Sequence, residues 1–119
     1  MSRALVVADS GWVINDVRAV LGLGDWEVEV LSDPRRVVGA IDELGPEVVV
    51  IDLQIGSMGG MAVVREIISV MDEGERPRLV LLLDRGADGF LARRAGADAR
   101  VVKPFEAHEL RLAMERVMT

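Results

Sequence analysis

The sequence predicts an α/β domain built on a buried parallel sheet, and three observations carry that prediction. Short, unbroken aliphatic runs recur along the 119 residues, and each is followed by a stretch whose apolar residues fall at helical spacing. Half of the chain is hydrophobic, and that content is Val, Leu, Ala, Ile and Met, with two Trp, two Phe and no Tyr. Such aliphatic strands suit a sheet covered on both faces. Finally, Gly, Pro, Asp and Ser punctuate the alternation, so strands and helices follow one another as crossover units.

The elements follow in order. Ala4 to Ala8 (ALVVA) reads as a buried strand ending at Asp9. Ser10 is placed to cap a helix in which Val13, Val17, Val20 and Leu21 share one face, and Gly22 and Gly24 end it. Trp26 to Leu31 (WEVEVL) alternates apolar and acidic residues, as a half-exposed edge strand would. Asp33-Pro34 is a cap followed by proline at the first helical position, and Val37, Ile41 and Leu44 then form a face stopped by Gly45-Pro46. Val48 to Ile51 (VVVI), bounded by Asp52, is the next strand, and a loop from Gly56 to Gly60 leads into a helix with Met61, Val64, Ile68 and Met71 inward. Leu79 to Leu83 (LVLLL) ends at Asp84 and precedes a weak helical stretch, Gly86 to Ala95, lowered in propensity by Gly86 and Gly89. Ala99 to Val102 is a short strand before Lys103-Pro104-Phe105, and Glu106 to Met118 closes as a helix with Leu110, Ala113, Met114 and Val117 inward. No linker, repeat or low-complexity tract breaks the pattern, so residues 1–119 are expected to form a single domain.

Composition excludes several function classes. The net charge of −6 disfavours direct nucleic-acid binding, which needs an excess of Lys and Arg to neutralise phosphates. There is no cysteine, hence no disulfide and no thiolate chemistry, which fits a reducing cytoplasm. The apolar run near the start is too short for a signal sequence or a membrane span. No G-x-G-x-x-G follows the first strand and no Walker A motif is present, so dinucleotide and P-loop chemistries are not indicated. A flavin-binding reading is weakened because Asp9-Ser10-Gly11-Trp12 is a poor phosphate loop.

In open parallel sheets ligands bind outside the carboxyl ends of the strands. The residues that end or follow strands are Asp9, Asp52, Asp84 and Lys103. If the strand order is 2-1-3-4-5, Asp9 and Asp52 come from neighbouring central strands. Two carboxylates brought together repel and call for a cation. Mg²⁺ is the natural answer, being held by one or two carboxylates, waters and phosphate oxygens. Lys103 would supply a point charge to a phosphoryl group, and a carboxylate beside the metal can be the nucleophile of phosphoryl transfer.

At these residues the chain resembles the receiver domains of two-component response regulators, over essentially its whole length. The stretch PEVVVIDLQIGSMGGMAVVREI (Pro46 to Ile67) is similar to the family's phosphoacceptor strand and loop, and AGADARVVKPF (Ala95 to Phe105) to its Gly-Ala-Asp and Lys-Pro-Phe signature. The resemblance implies a flavodoxin-like, doubly wound five-stranded sheet of order 2-1-3-4-5 with helices on both faces. It implies Asp52 as phosphoacceptor, Lys103 as the conserved lysine, and a Mg²⁺ site made by Asp9, Asp52 and the backbone carbonyl of Gln54. A cis Lys103-Pro104 bond is expected on the same ground. The implied partners are a sensor histidine kinase or phosphotransferase and a downstream protein, or a second copy, on the 85–118 face. The domain would then be a cytoplasmic signalling module, not an enzyme.

Five positions depart from the family pattern. Ala8 stands where the family has a second acid, and one of Leu81, Leu82 and Leu83 where it has a Thr or Ser. Arg100 stands at the switch aromatic, while Gly56 and Gly59 replace a Pro and an Asp, which is expected to loosen the loop. Without the hydroxyl and the aromatic, phosphorylation must be relayed by another route. The alternative is a pseudo-receiver, a partner-binding module without phosphoryl chemistry. Arg85 or Arg100 could substitute as a hydrogen-bond donor to the phosphoryl group, and Arg85, Arg93, Arg94 and Arg100 make the 85–118 face basic. Asp84 is expected to cap or turn, with electrostatics at the fourth strand as the alternative, and His108 to be solvated. Trp12 is expected to pack partly into the core, with a rim or partner-anchor place as the alternative, and Met58, Met61, Met71, Met114 and Met118 to fill the core.

Overall fold

The computed structural model describes residues 2–119, which alternate strand and helix throughout. The elements are β1 (Ser2–Val7), α1 (Gly11–Leu21), β2 (Trp26–Leu31), α2 (Val37–Leu44), β3 (Val48–Asp52), α3 (Gly60–Val70), β4 (Arg78–Leu83), α4 (Gly89–Ala95), β5 (Ala99–Val102) and α5 (Ala107–Met118). Single 3₁₀ turns, Pro34–Arg36 and Gly86–Asp88, precede α2 and α4. The five strands pair in parallel in the order β2-β1-β3-β4-β5, as the sequence implied. This is the flavodoxin-like, doubly wound arrangement.

Alternation along the strands divides the core in two. Val48 and Val50 of β3 and Val80 and Leu82 of β4 face α1 and α5, meeting Val13, Val17, Leu110 and Met114. Val49, Ile51, Leu79, Leu81 and Leu83 face α2, α3 and α4, meeting Ile41, Val63, Val64 and Ile67. Each fully buried aliphatic side chain contributes about 1.5–3 kcal/mol. Every residue of β3 is buried, and this central strand carries Asp52 at its carboxyl end.

Caps and turns follow the local chemistry. Asp33 caps the first 3₁₀ turn, and its carboxyl pKa is lowered first by the hydrogen bond from the Arg35 side chain and then by that from the Arg35 amide. Glu106 and Glu109 form a reciprocal capping box at the start of α5. Ser10 occupies the cap position of α1 but its side chain makes no capping bond. The innermost residues of α3 are Gly60, Val63, Val64 and Ile67, so the helix is rotated from the expected face, with Met61, Ile68 and Met71 half-buried at its flanks. Met114 is buried as expected, whereas Met118 is exposed. No described helix is long and apolar enough to cross a membrane.

Candidate functional site

Asp52 and Lys103 are the only charged residues buried in the described chain, at 1% and 8% exposure. They are also each other's partner: the Lys103 ammonium donates to Asp52 Oδ1. A buried carboxylate or ammonium is tolerated only when paired in this way. Asp52 ends β3. Lys103 follows β5, where its own amide donates to the Leu83 carbonyl at 2.7 Å and its bond to Pro104 is cis, as expected. The Gly-Ala-Asp stretch anchors this segment. Gly96 closes α4 in a left-handed conformation (φ 108°), and Asp98 accepts from the Leu79 amide at 2.8 Å while its own amide donates back to the Leu79 carbonyl.

Asp9 follows β1 beside β3 and is exposed. Its Oδ2 accepts from the Gly56 amide at 3.0 Å, tying the loop after β3 to the loop after β1. Asp52 Oδ1 also accepts from the Gln54 amide at 3.3 Å. Each of the two carboxylates thus commits one oxygen to the protein. Among the described residues none donates to Asp52 Oδ2 or Asp9 Oδ1. Carboxylate oxygens and a backbone carbonyl, such as that of Gln54, are hard donors of the kind Mg²⁺ takes, with water completing its shell. No third carboxylate, histidine or cysteine joins them, since among the described residues no three such side chains cluster as a metal site. Ala8, where a second acid was missing, is instead fully buried in the core.

Hydrogen bonds span the loop from Gly56 to Gly60. Gly56 (φ 55°) and Gly59 (φ 82°) adopt backbone conformations that favour glycine. Ile55 is fully buried, and the Gly59 and Gly60 amides donate to the Ile55 and Leu53 carbonyls at 3.0 and 2.8 Å. At Gly60 a Cβ would lie 2.6 Å from the Asp52 carbonyl oxygen, so α3 begins directly against the backbone of the acceptor strand.

Two further residues meet Lys103. Asp84, read from sequence as a capping or turn residue or as an electrostatic partner at the end of β4, reaches Lys103 Nζ with Oδ1 at 3.1 Å. Trp12, expected in the core, is 52% exposed, with its ring centroid 5.9 Å from the same ammonium. The signal available for both was the geometry of Lys103, the only lysine among 14 basic side chains. His108 is solvent-exposed, as expected.

The register also identifies the residue beside the candidate acceptor. Asp52 pairs with Leu82, which is fully buried among the apolar residues facing α1 and α5 and can donate no hydrogen bond. Arg100 on β5 is exposed, and its side chain lies across Gly89 at the start of α4. Neither Arg100 nor Arg85 reaches the Asp52 carboxylate; Arg85 pairs with Asp88 at 3.1 Å.

Residues 4–115 match the model of the response regulator receiver domain. The chain belongs to this family, whose members are signalling domains of two-component systems. It is 30% identical over 109 residues to the transcriptional regulatory protein TrcR of Mycobacterium tuberculosis, covering 91% of this chain and 42% of that protein. It is 32% identical over 117 residues to the response regulator MprA of Mycolicibacterium vanbaalenii, covering 98% and 50%. The chain therefore spans about half the length of the curated relatives it matches. Among solved structures, the chemotaxis protein CheY4 of Vibrio cholerae superposes with a TM-score of 0.84 at 22% identity, covering 98% of each chain. The receiver domain of the sensor histidine kinase PA1611 from Pseudomonas aeruginosa, solved with a magnesium ion in its active-site cleft, gives 0.84 at 21% identity, covering 99% and 98%.

Proposed function

We propose that residues 1–119 act as one receiver domain that accepts a phosphoryl group on Asp52 from a histidine kinase or phosphotransferase. The observation that carries this reading is the asymmetry of the Asp52 carboxylate, with Oδ1 held by Lys103 and Oδ2 free of protein donors. In the proposed step Oδ2 attacks phosphorus. The phosphorus–nitrogen bond of a phosphohistidine breaks, and its electron pair leaves with the imidazole. With a small donor such as acetyl phosphate, the phosphorus–oxygen bond breaks and acetate departs. Lys103 offsets the charge that gathers on the transferred oxygens.

Asp9, Asp52 and the Gln54 carbonyl would hold Mg²⁺, which when bound stabilises charge on the phosphoryl oxygens. With Ala8 in place of an acid, fewer negative charges attract the cation, and metal binding is correspondingly weak. The 85–118 face, which exposes Phe90, Leu91 and Leu112 beside Arg93, Arg94, Arg100 and Arg116, is the surface for a downstream protein or a second copy. The reading places the domain in the cytoplasm as a signalling module without enzymatic turnover.

Incubation with acetyl phosphate and Mg²⁺ is expected to add the mass of one phosphoryl group to the wild type and none to Asp52→Asn. No adduct on the wild type, together with unchanged Trp12 fluorescence on adding Mg²⁺, would favour the pseudo-receiver, which the buried Leu82 beside Asp52 makes physically reasonable.

A further inference from the structure

We infer that Asp84 is a positioning residue of this site, which holds the Lys103 ammonium and competes for it with a phosphoryl group on Asp52. The inference rests on the phosphoryl-acceptor reading above and extends it to a residue at the end of β4. An ammonium has three N–H donors and no acceptor. Here Asp52 Oδ1 and Asp84 Oδ1 both draw on it, the latter at 3.1 Å, while the Trp12 ring covers it at 5.9 Å. Neither carboxylate pairs with any other cation among the described residues.

The two partners differ in what they can release. The Asp52 side chain is 1% exposed and cannot exchange Lys103 for water, whereas that of Asp84 is 35% exposed and can. Before phosphorylation Asp84 steadies the ammonium over Asp52. A phosphoryl group on Oδ2 adds negative charge and acceptor oxygens beside the same ammonium. Lys103 must then be shared or drawn off Asp84, leaving that carboxylate to repel the phosphoryl oxygens. The neighbouring strand gives no relief, because Leu82 beside Asp52 has no donor. Where a β4 hydroxyl would attract the phosphoryl group, this chain sets a nearby carboxylate that opposes it.

Beryllofluoride, a phosphoryl mimic, is titrated with Mg²⁺ by calorimetry into wild type, Asp84→Asn and Asp84→Glu. Asp84→Asn keeps the shape and removes the charge, so it is expected to bind on the order of fivefold tighter, the size of one partly exposed charge pair. Asp84→Glu keeps the charge and is expected to stay near the wild type. A second readout needs neither metal nor mimic. Because Lys103 is the only lysine, amine-selective acylation followed by peptide mass mapping reports on its ammonium alone. Acylation of Lys103 is expected to be faster in Asp84→Asn than in the wild type or Asp84→Glu. Equal beryllofluoride affinity and equal labelling in a normally folded Asp84→Asn would overturn the inference. Faster labelling with no beryllofluoride binding by any variant would support the hold on Lys103 but overturn the competition, along with the phosphoryl reading itself.

Discussion

Two glycines that open neighbouring helices show how differently the two halves of the sheet edge are built. At Gly60, the start of α3, an added Cβ would meet the Asp52 carbonyl oxygen at 2.6 Å and the Leu53 Cα at 2.8 Å. At Gly89, the start of α4, it would meet the Arg100 side chain, Nε at 2.5 Å and Cδ at 3.1 Å. Backbone of a buried central strand cannot step aside, but an exposed arginine can. The end of β3 is therefore fixed from every side: by Lys103 on Asp52, by the Asp9 bond to Gly56, and by the tight approach of α3. The region from the end of β4 through α4 and β5 is held by its core residues and by polar contacts nearer the surface: Asp84 on Lys103, Arg85 on Asp88, and the exchange between Asp98 and Leu79. The candidate acceptor thus sits against buried backbone, whereas α4 opens against an exposed side chain of unusual type for its position.

The widest gap between the two regions should appear on removing Lys103. Lys103→Ala leaves Asp52 buried without a cation, beside a second carboxylate at Asp84, and is expected to cost about 3–5 kcal/mol in denaturant unfolding without metal. Asp52→Asn is expected to cost much less, because Lys103 keeps Asp84 as its counter-ion. The double variant Asp52→Asn/Lys103→Ala should recover much of the loss, a non-additivity that a double-mutant cycle measures directly. Equal costs for the two single changes would mean that Asp84 does not hold the lysine.

A smaller effect is expected at the first of the two glycines. Gly60→Ala overpacks backbone against backbone and should destabilise by about 1–3 kcal/mol. It should also slow or abolish formation of the acetyl phosphate adduct, since relief of the clash must shift the strand end that carries Asp52. A variant of wild-type stability with an unchanged adduct would show that this end is less rigid than the packing implies.

Much of this contrast was legible in the sequence, and the reasons for the rest are physical. Strand and helix alternation fixed the sheet, because the aliphatic runs ending at Asp9, Asp52 and Asp84 have no other stable use in a chain of this composition. Asp52 and Lys103 were legible because each follows a buried strand and the motif around it is specific. Leu82 could be narrowed only to a run of three leucines, since identical side chains hide the register that pairs it with Asp52. The roles of Asp84 and Trp12 were left between alternatives because they come from reaching one ammonium across the sheet edge, and no periodicity reports a side chain's reach. The path of the Gly56 to Gly60 loop was not legible, because composition shows that glycine is free to turn there but not which left-handed turns and hydrogen bonds it takes.

The smallest expected effect tests the more exposed side of the comparison. Gly89→Ala gains helix propensity, up to about 1 kcal/mol, but pushes Arg100 from the surface it lies on, and the two changes nearly cancel. In an Arg100→Ala background the clash is gone and only the gain remains. The cycle of Gly89→Ala with Arg100→Ala should therefore show a favourable coupling of about 0.5–1 kcal/mol, read from urea midpoints. Additivity within error would mean that Arg100 already samples positions clear of Gly89, so that the switch position is unconstrained even by its nearest helix. A coupling as large as the Gly60→Ala penalty would say the reverse: Arg100 is held on α4 as firmly as α3 is held on Asp52. In that case Arg100, for all its exposure, is a fixed part of the contact between β5 and α4 and not a free surface side chain.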